Sequence, residues 1–346
     1  MLRHLALVGL VAVSAVTFPE AQSGSATPFK LGTFAQGSRT FVGLVLNDAT
    51  AVDLSKAEPS LPSDMKVLLQ QYDSLRAKLG SIASSAAGTR PAHAYDIKSL
   101  KTLPPVMPQN ILNAAVNYTE HAKEMIGIST SGFDGNAAPP KEGIPGIWQR
   151  KPGDTRHNPY VFPKMVGAVV GNGDAIRLPA GRDQVDWECE LSVVVGREAD
   201  HVPVDRAHDY IVGFTLQNDV SDRAGRGDGR HGSDWFMGKS HPTFAPLGPY
   251  IVPKEFVADP QKLAIKFTLS GKVMQDSSTD RMTHTVYEML SYVSHIMTLK
   301  PGDIVATGSP AGVGAARKIF MKPGDLSVCT IEGIGTLTNP VVGPGS

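Results

Sequence analysis

The sequence predicts an α+β, β-rich protein, a large strand-rich part preceded by a small α+β N-terminal domain. Three observations carry that expectation. The 35 Gly and 26 Pro among 346 residues favour short strands and numerous turns over long helices. Short apolar runs rich in β-branched residues, bounded by turn formers, recur from residue 110 onward. One stretch alone, 282–299, has the apolar spacing of a convincing long helix. The length itself points to one large domain and one smaller one.

Taken in order, residues 1–21 read as an export signal: Arg3 and His4, an apolar run over 5–16, then small residues at Ala15, Thr17 and Ala21. That run is too short to span a bilayer as a helix, so the mature chain is expected to be exported, periplasmic or secreted, with no stable membrane span. Residues 22–28 form a polar linker. Residues 29–103 are expected as the small domain, with a strand over 41–46 turning at Asn47-Asp48. Within it, 65–79 has helical spacing, with Val67, Leu68, Leu75 and Leu79 inward, Gly80 as its stop and 81–91 as a loop. Pro104, Pro105 and Pro108 mark the boundary to residues 104–346. There, strands are expected over 111–116, 186–195, 210–218, 263–269 and 326–331, a short helix over 118–125, and a long Gly/Pro-rich loop over 127–159.

Composition excludes several functions. Hydrophobic residues at 41% and charged residues at 19% fit a folded globular chain. With 33 basic and 33 acidic side chains there is no basic excess to recruit nucleic acid or a membrane surface. The two cysteines, Cys189 and Cys329, lie in apolar strand-like runs and are expected as buried free thiols; two cannot build a structural zinc site.

Five segments carry candidate chemistry. In Asp186-Trp187-Glu188-Cys189-Glu190 the two glutamates are two apart and share one strand face, while Cys189 points to the other. Paired carboxylates entering an apolar strand repel one another unless a hard cation such as Mg2+, Mn2+ or Ca2+ lies between them; otherwise the pair is an exposed, solvated strand end. Asp219, in Asn218-Asp219-Val220-Ser221 at the end of an apolar strand, is a third ligand or simply a turn cap. His121 and Glu124 lie three apart on a helix, either an ordinary surface pair or a dyad in which the carboxylate fixes the imidazole tautomer. Lys239, in Gly238-Lys239-Ser240, is a surface charge or a neutraliser of an enolate. The Gly-rich run Thr307-Gly308-Ser309-Pro310-Ala311-Gly312-Val313-Gly314 lacks the phosphate-loop spacing; its amides and the Ser309 hydroxyl are suited to a substrate carboxylate, or it is a tight turn.

In this order, NYTEHAKEM (117–125), DWECEL (186–191), GFTLQNDVS (213–221), GKSHPTFAPLGP (238–249), TGSPAGVG (307–314) and IEGIGTLTNPV (331–341) resemble the C-terminal catalytic domain of the fumarylacetoacetate hydrolase family over about residues 110–342. The resemblance implies a roll of mixed β-sheets, usually a homodimer. It implies a metal, commonly Mg2+, on Glu188, Glu190 and Asp219, and a His121–Glu124 pair that activates water. Lys239 is the implied active-site lysine, and Tyr118, Arg223, Arg226, Thr307, Gly308 and Ser309 the substrate contacts. Its members cleave acylpyruvates and related diketo acids, decarboxylate oxaloacetate, or isomerise hydroxymuconate-type diacids, with the chelated oxo-acid stabilised as an enolate.

The chain departs from the family pattern after Asp219. Arg223 is kept, but Ala224 and Arg226 stand where the family often has Asp and Gln, so an Arg226 that enters the site predicts a second substrate carboxylate. The expectation is therefore a metal-dependent hydrolase of a C–C bond in a small oxo-acid. An isomerase or decarboxylase on the same metal site is the near alternative, and an exported, non-catalytic oxo-acid-binding protein the distant one.

Overall fold

A computed structural model describes residues 26–126, 128, 154, 156–227 and 230–345. The segment 1–21 and most of the 127–159 loop lie outside the described residues.

The apolar runs become strands of three sheets. The largest sheet has twelve strands. At its centre, Cys189–Val195 pairs antiparallel with Ile211–Asn218 on one side and with Ile304–Ala306 on the other. Ile304–Ala306 in turn pairs parallel with Ile111–Ala115, which pairs antiparallel with Tyr160–Lys164. Every residue of Cys189–Val195 and of Ile211–Asn218 is buried, as expected of strands covered on both faces. A five-stranded sheet containing Lys272–Ser278, Ala264–Leu269, Leu326–Ile331 and Gly335–Val342 packs against this centre, with Trp187 stacked on Phe267 at 5.1 Å between ring centroids. Val185–Asp186 and Ser221–Asp222 form a two-stranded ribbon beside the strand ends. The molecule is thus α+β and strand-rich, as the sequence predicts.

Residues 29–103 supply Lys30–Gln36, Arg39–Leu46 and Thr50–Asp53, together with the helices Met65–Gln70 and Tyr72–Gly88. Lys30–Gln36 joins the large sheet directly, Leu31 pairing with Ile251 of Ala245–Pro253.

Four expectations are corrected. The single helix over 65–79 is two helices that meet at Gln71, with Val67 40% exposed rather than inward. The second helix does not stop at Gly80 but runs to Gly88. The Ala- and Ser-rich residues after Gly80 sustain it, because one mid-helix glycine costs only about 1 kcal/mol. The long helix over 282–299 shortens to Val286–Ser294, because Thr285 and Glu288 form a reciprocal capping box that fixes its start. The cysteines are not free thiols: Cys189 and Cys329 form a disulfide across the two packed sheets, with Cα atoms 5.6 Å apart. Their separation of 140 residues hides a proximity that exists only after the sheets stack.

Candidate active site

The register of the two central strands assembles the carboxylates. Cys189 lies opposite Asn218 and Glu190 opposite Gln217, so one step further places Asp219 across from Glu188. Cross-strand partners share a face, as do residues two apart. Glu188, Glu190 and Asp219 therefore converge, buried, with ligand oxygens all within 4.8 Å of one another. Glu188 itself precedes the strand. Its amide donates to Asn218 Oδ1 at 3.0 Å and its carbonyl accepts from the Asp219 amide at 2.8 Å, which continues the pairing where the ladder stops.

Three buried cations face these acids. Lys239 Nζ donates to Glu188 Oε2 at 2.7 Å and to Asp219 Oδ2 at 2.5 Å. Lys164 Nζ pairs with Asp219 Oδ1 and donates to the Val220 carbonyl at 2.9 Å. Arg223 bridges Asp186 Oδ1, at 2.8 Å from Nε, and Glu188 Oε1, at 2.5 Å from Nη2. Burial pushes the Lys164 ammonium down to about 8, against the pull of Asp219. Burial alone would raise Glu188, but Lys239 and Arg223 hold it well below the usual carboxylate range.

The donor set fits a divalent cation. Burial, then Asp219 and Glu188, push the Glu190 carboxyl well above the usual range. Its Oε1 has no hydrogen-bond partner among the described residues, while Oε2 accepts from the Gly308 amide at 2.9 Å. A buried oxygen aimed into a carboxylate triad is the arrangement a hard cation satisfies.

His121 and Glu124 lie on the helix Thr119–Met125, with Nδ1 to Oε1 at 2.7 Å. His121 Nε2 faces the triad, 3.6 Å from Glu188 Oε1. Burial lowers the His121 pKa, but the bonds to Glu124 and Glu188 outweigh it and leave a net rise. Glu124 is held by the Gly-rich loop, accepting from the Gly312 amide at 2.9 and 3.0 Å. Gly312 has φ +109°, and a Cβ there would come within 2.1 Å of the Met274 carbonyl oxygen. The loop's amides thus turn mainly to the protein's own acids: Gly308 to Glu190, Gly312 to Glu124, and Ala315 just beyond it to Asp186 at 2.8 Å.

The other residues proposed for substrate fall at different depths. Ser309, with His121, Phe162, Glu188, Arg223 and Lys239, lines a small cavity of about 20 Å³. The Thr307 hydroxyl donates to the Leu191 carbonyl at 2.8 Å. Tyr118 is buried with a hydroxyl that has no partner among the described residues, and burial, then Glu190, raise its pKa far above the ordinary phenol value. Arg226 does not line the cavity. Its Nε donates to the Asp222 carbonyl at 2.8 Å and its guanidinium lies 5.3 Å from the Trp235 ring centroid. It packs on Gly238, where a Cβ would fall 2.1 Å from Nε.

Lys164, Gln275, Phe162 and Trp235 escaped the sequence reasoning. Lys164 ends an edge strand with nothing local to mark it as buried. Phe162 and Trp235 flank the Lys239 ammonium at 5.0 and 5.8 Å from their ring centroids, an apolar setting that only the fold creates.

The chain is similar to known proteins over most of its length. The family model described as fumarylacetoacetate (FAA) hydrolase C-terminal matches residues 110–342. The chain is 36% identical over 299 residues to a Bos taurus protein named oxaloacetate tautomerase, mitochondrial, covering 86% of this chain and 85% of that one. A Xenopus laevis protein of the same designation is 33% identical over 305 residues, covering 87% and 86%. Among solved structures, 5-carboxymethyl-2-hydroxymuconate delta-isomerase from Mycobacterium smegmatis superimposes with a TM-score of 0.65 at 28% identity, covering 92% of this chain and all of that one. The expectation of an exported, periplasmic or secreted protein is overturned, because these sequence relatives are named as mitochondrial. No helix among the described residues is long and apolar enough to cross a membrane.

Proposed function

The chain belongs to the fumarylacetoacetate hydrolase family, and we propose that within it the chain catalyses keto–enol tautomerisation of a small 2-oxo dicarboxylic acid such as oxaloacetate. The observation that carries this reading is the pairing of one proton-moving dyad, His121–Glu124, with a carboxylate triad ringed by Lys164, Lys239 and Arg223. Tautomerisation needs only that a proton leave C3 and one arrive on the C2 oxygen. It consumes no water and leaves no fragment.

Glu188, Glu190 and Asp219 would hold Mg2+ or Mn2+, which when bound would supply Lewis acidity toward the oxo-acid's carbonyl. The chain's own residues do the rest. His121 Nε2 takes the C3 proton while Glu124 holds the Nδ1–H and favours the resulting imidazolium. Lys239, positioned by Glu188 and Asp219, offsets the charge that builds on the C2 oxygen, and its aromatic walls keep water from screening it. A homodimer, as the family resemblance implies, is part of the proposal.

The same dyad supports a second reading, C–C hydrolysis of an acylpyruvate, in which His121 takes a proton from water instead. One assay separates them: loss of enol absorbance of oxaloacetate with and without Mg2+, beside acylpyruvates scored for pyruvate release, with Asp219→Ala as control. Metal-dependent loss of the enol signal without pyruvate release supports the tautomerase; fragment release from acylpyruvates with no effect on the enol replaces it with the hydrolase.

A further inference from the structure

We propose that Gln275, on the strand Lys272–Ser278 of the second sheet, is a positioning residue that commits the Ser309 hydroxyl to donate its proton into the active-site cavity. This rests on the reading of the site as one that develops negative charge on a substrate oxygen.

Gln275 is buried, and its amide orientation is fixed at both ends. Oε1 lies 3.2 Å from the Cys189 backbone amide, a group that only donates. Nε2 lies 2.7 Å from the Pro310 carbonyl, a group that only accepts, and 2.7 Å from Ser309 Oγ. Flipping the amide would set carbonyl against carbonyl and N–H against N–H. Ser309 Oγ must therefore accept from Nε2, which commits one lone pair and leaves the hydroxyl proton to point elsewhere. Among the described residues its one other partner is the Pro310 carbonyl at 3.3 Å, long for a hydroxyl donor and already served by Nε2. Ser309 lines the cavity with His121 and Lys239. A ligand oxygen there is the better acceptor, and most so when it carries enolate charge.

Gln275 also grips the peptide between Glu188 and Glu190. One side chain from the opposing sheet thus ties the carboxylate strand to the Gly-rich loop, without touching substrate itself.

The test inverts the polarity of the bridge. In Gln275→Glu the introduced carboxylate still accepts from the Cys189 amide but, when ionised, accepts from Ser309 as well and draws its proton out of the cavity. Oxalate, a planar mimic of an enolised 2-oxo acid, is titrated calorimetrically into the Mg2+-loaded full chain across the pH range in which the variant stays folded, up to about pH 9 so that a carboxyl raised by burial ionises. Oxalate affinity should fall about tenfold at the alkaline end and recover as pH falls and the carboxyl again donates. Ser309→Ala should show about the same loss at every pH, and the double variant should be no weaker than Ser309→Ala alone. Equal affinity of Gln275→Glu and wild type at every pH, a pH-independent loss, or losses that multiply in the double variant would overturn the proposal. Should Gln275→Glu fail to fold, Ser309→Ala still decides, since unchanged oxalate affinity there removes the donor from the account. Oxalate binding without turnover of any 2-oxo dicarboxylate would count against the tautomerase reading while leaving this proposal to the titration.

Discussion

In the proposed site Asp219 would do more than ligate a metal. It is the one acid of the triad bonded to both Lys164 and Lys239, so its removal strands two buried ammonium groups as well as taking away a metal ligand. Outer-shell changes at metal sites already cost up to about a hundredfold in affinity, so Asp219→Asn should weaken Mg2+ binding by at least that factor in a calorimetric titration. Glu124 is separable from the metal. Glu124→Gln should lower kcat about a hundredfold or more while the Mg2+ titration stays at the wild-type value, because it alters the group behind His121 Nδ1 and not the triad. A parallel loss of metal affinity in that variant would show that the dyad and the triad are not independent. At this scale the sequence was informative where spacing is local: two glutamates on one strand face and a His–Glu pair one turn apart are visible in any six-residue window. Lys164 and Gln275 were not, since each reaches the site from a different strand and neither is flagged by its neighbours.

Elements show where local reading stops. The reciprocal capping box of Thr285 and Glu288 sets the helix start, which apolar periodicity alone does not mark. Beside it, His284 is buried, its Nε2–H donating to the His157 carbonyl at 2.7 Å. Burial, then the neighbouring Arg156, brings its pKa down to about 4 from the ordinary 6.5. The sign follows from linkage: between those values the unfolded chain binds the proton that the folded chain refuses. Stability from this group is therefore full above about pH 6.5 and lost as pH falls toward 4. Wild type should lose on the order of 2 kcal/mol between pH 7 and pH 5 from this term, and His284→Gln should flatten that part of a thermal-midpoint profile. An identical profile in the variant would place the acid sensitivity elsewhere. The disulfide belongs to the same scale. Thiol titration of the denatured chain should find no free thiol before reduction and both Cys189 and Cys329 after it. Cys329→Ser should cost about 2–4 kcal/mol in a denaturant titration.

For the whole molecule, the α+β, strand-rich class followed from glycine and proline content and from repeated short apolar runs, and the ordered motifs marked the family domain over residues 110–342. What the sequence withheld is how the second sheet stacks on the first. That stacking pairs the cysteines, brings Gln275 to the carboxylate strand and places Trp187 on Phe267, and each contact joins segments at least 80 residues apart with no shared periodicity. The compartment was misread because a basic, then apolar N-terminal run is compatible with more than one destination, whereas the relatives are named as mitochondrial.

The central claim is that this folded site moves a proton at the carbon next to a metal-chelated carbonyl. It is tested most directly by proton NMR of oxaloacetate dissolved in D2O, following exchange of the C3 hydrogens with wild type, Asp219→Asn and His121→Asn in the presence of Mg2+. Exchange should be accelerated with wild type and stay at background with either variant, with no fragment released. Exchange that is as fast with His121→Asn as with wild type, or that proceeds unchanged after chelation of the metal, would contradict it.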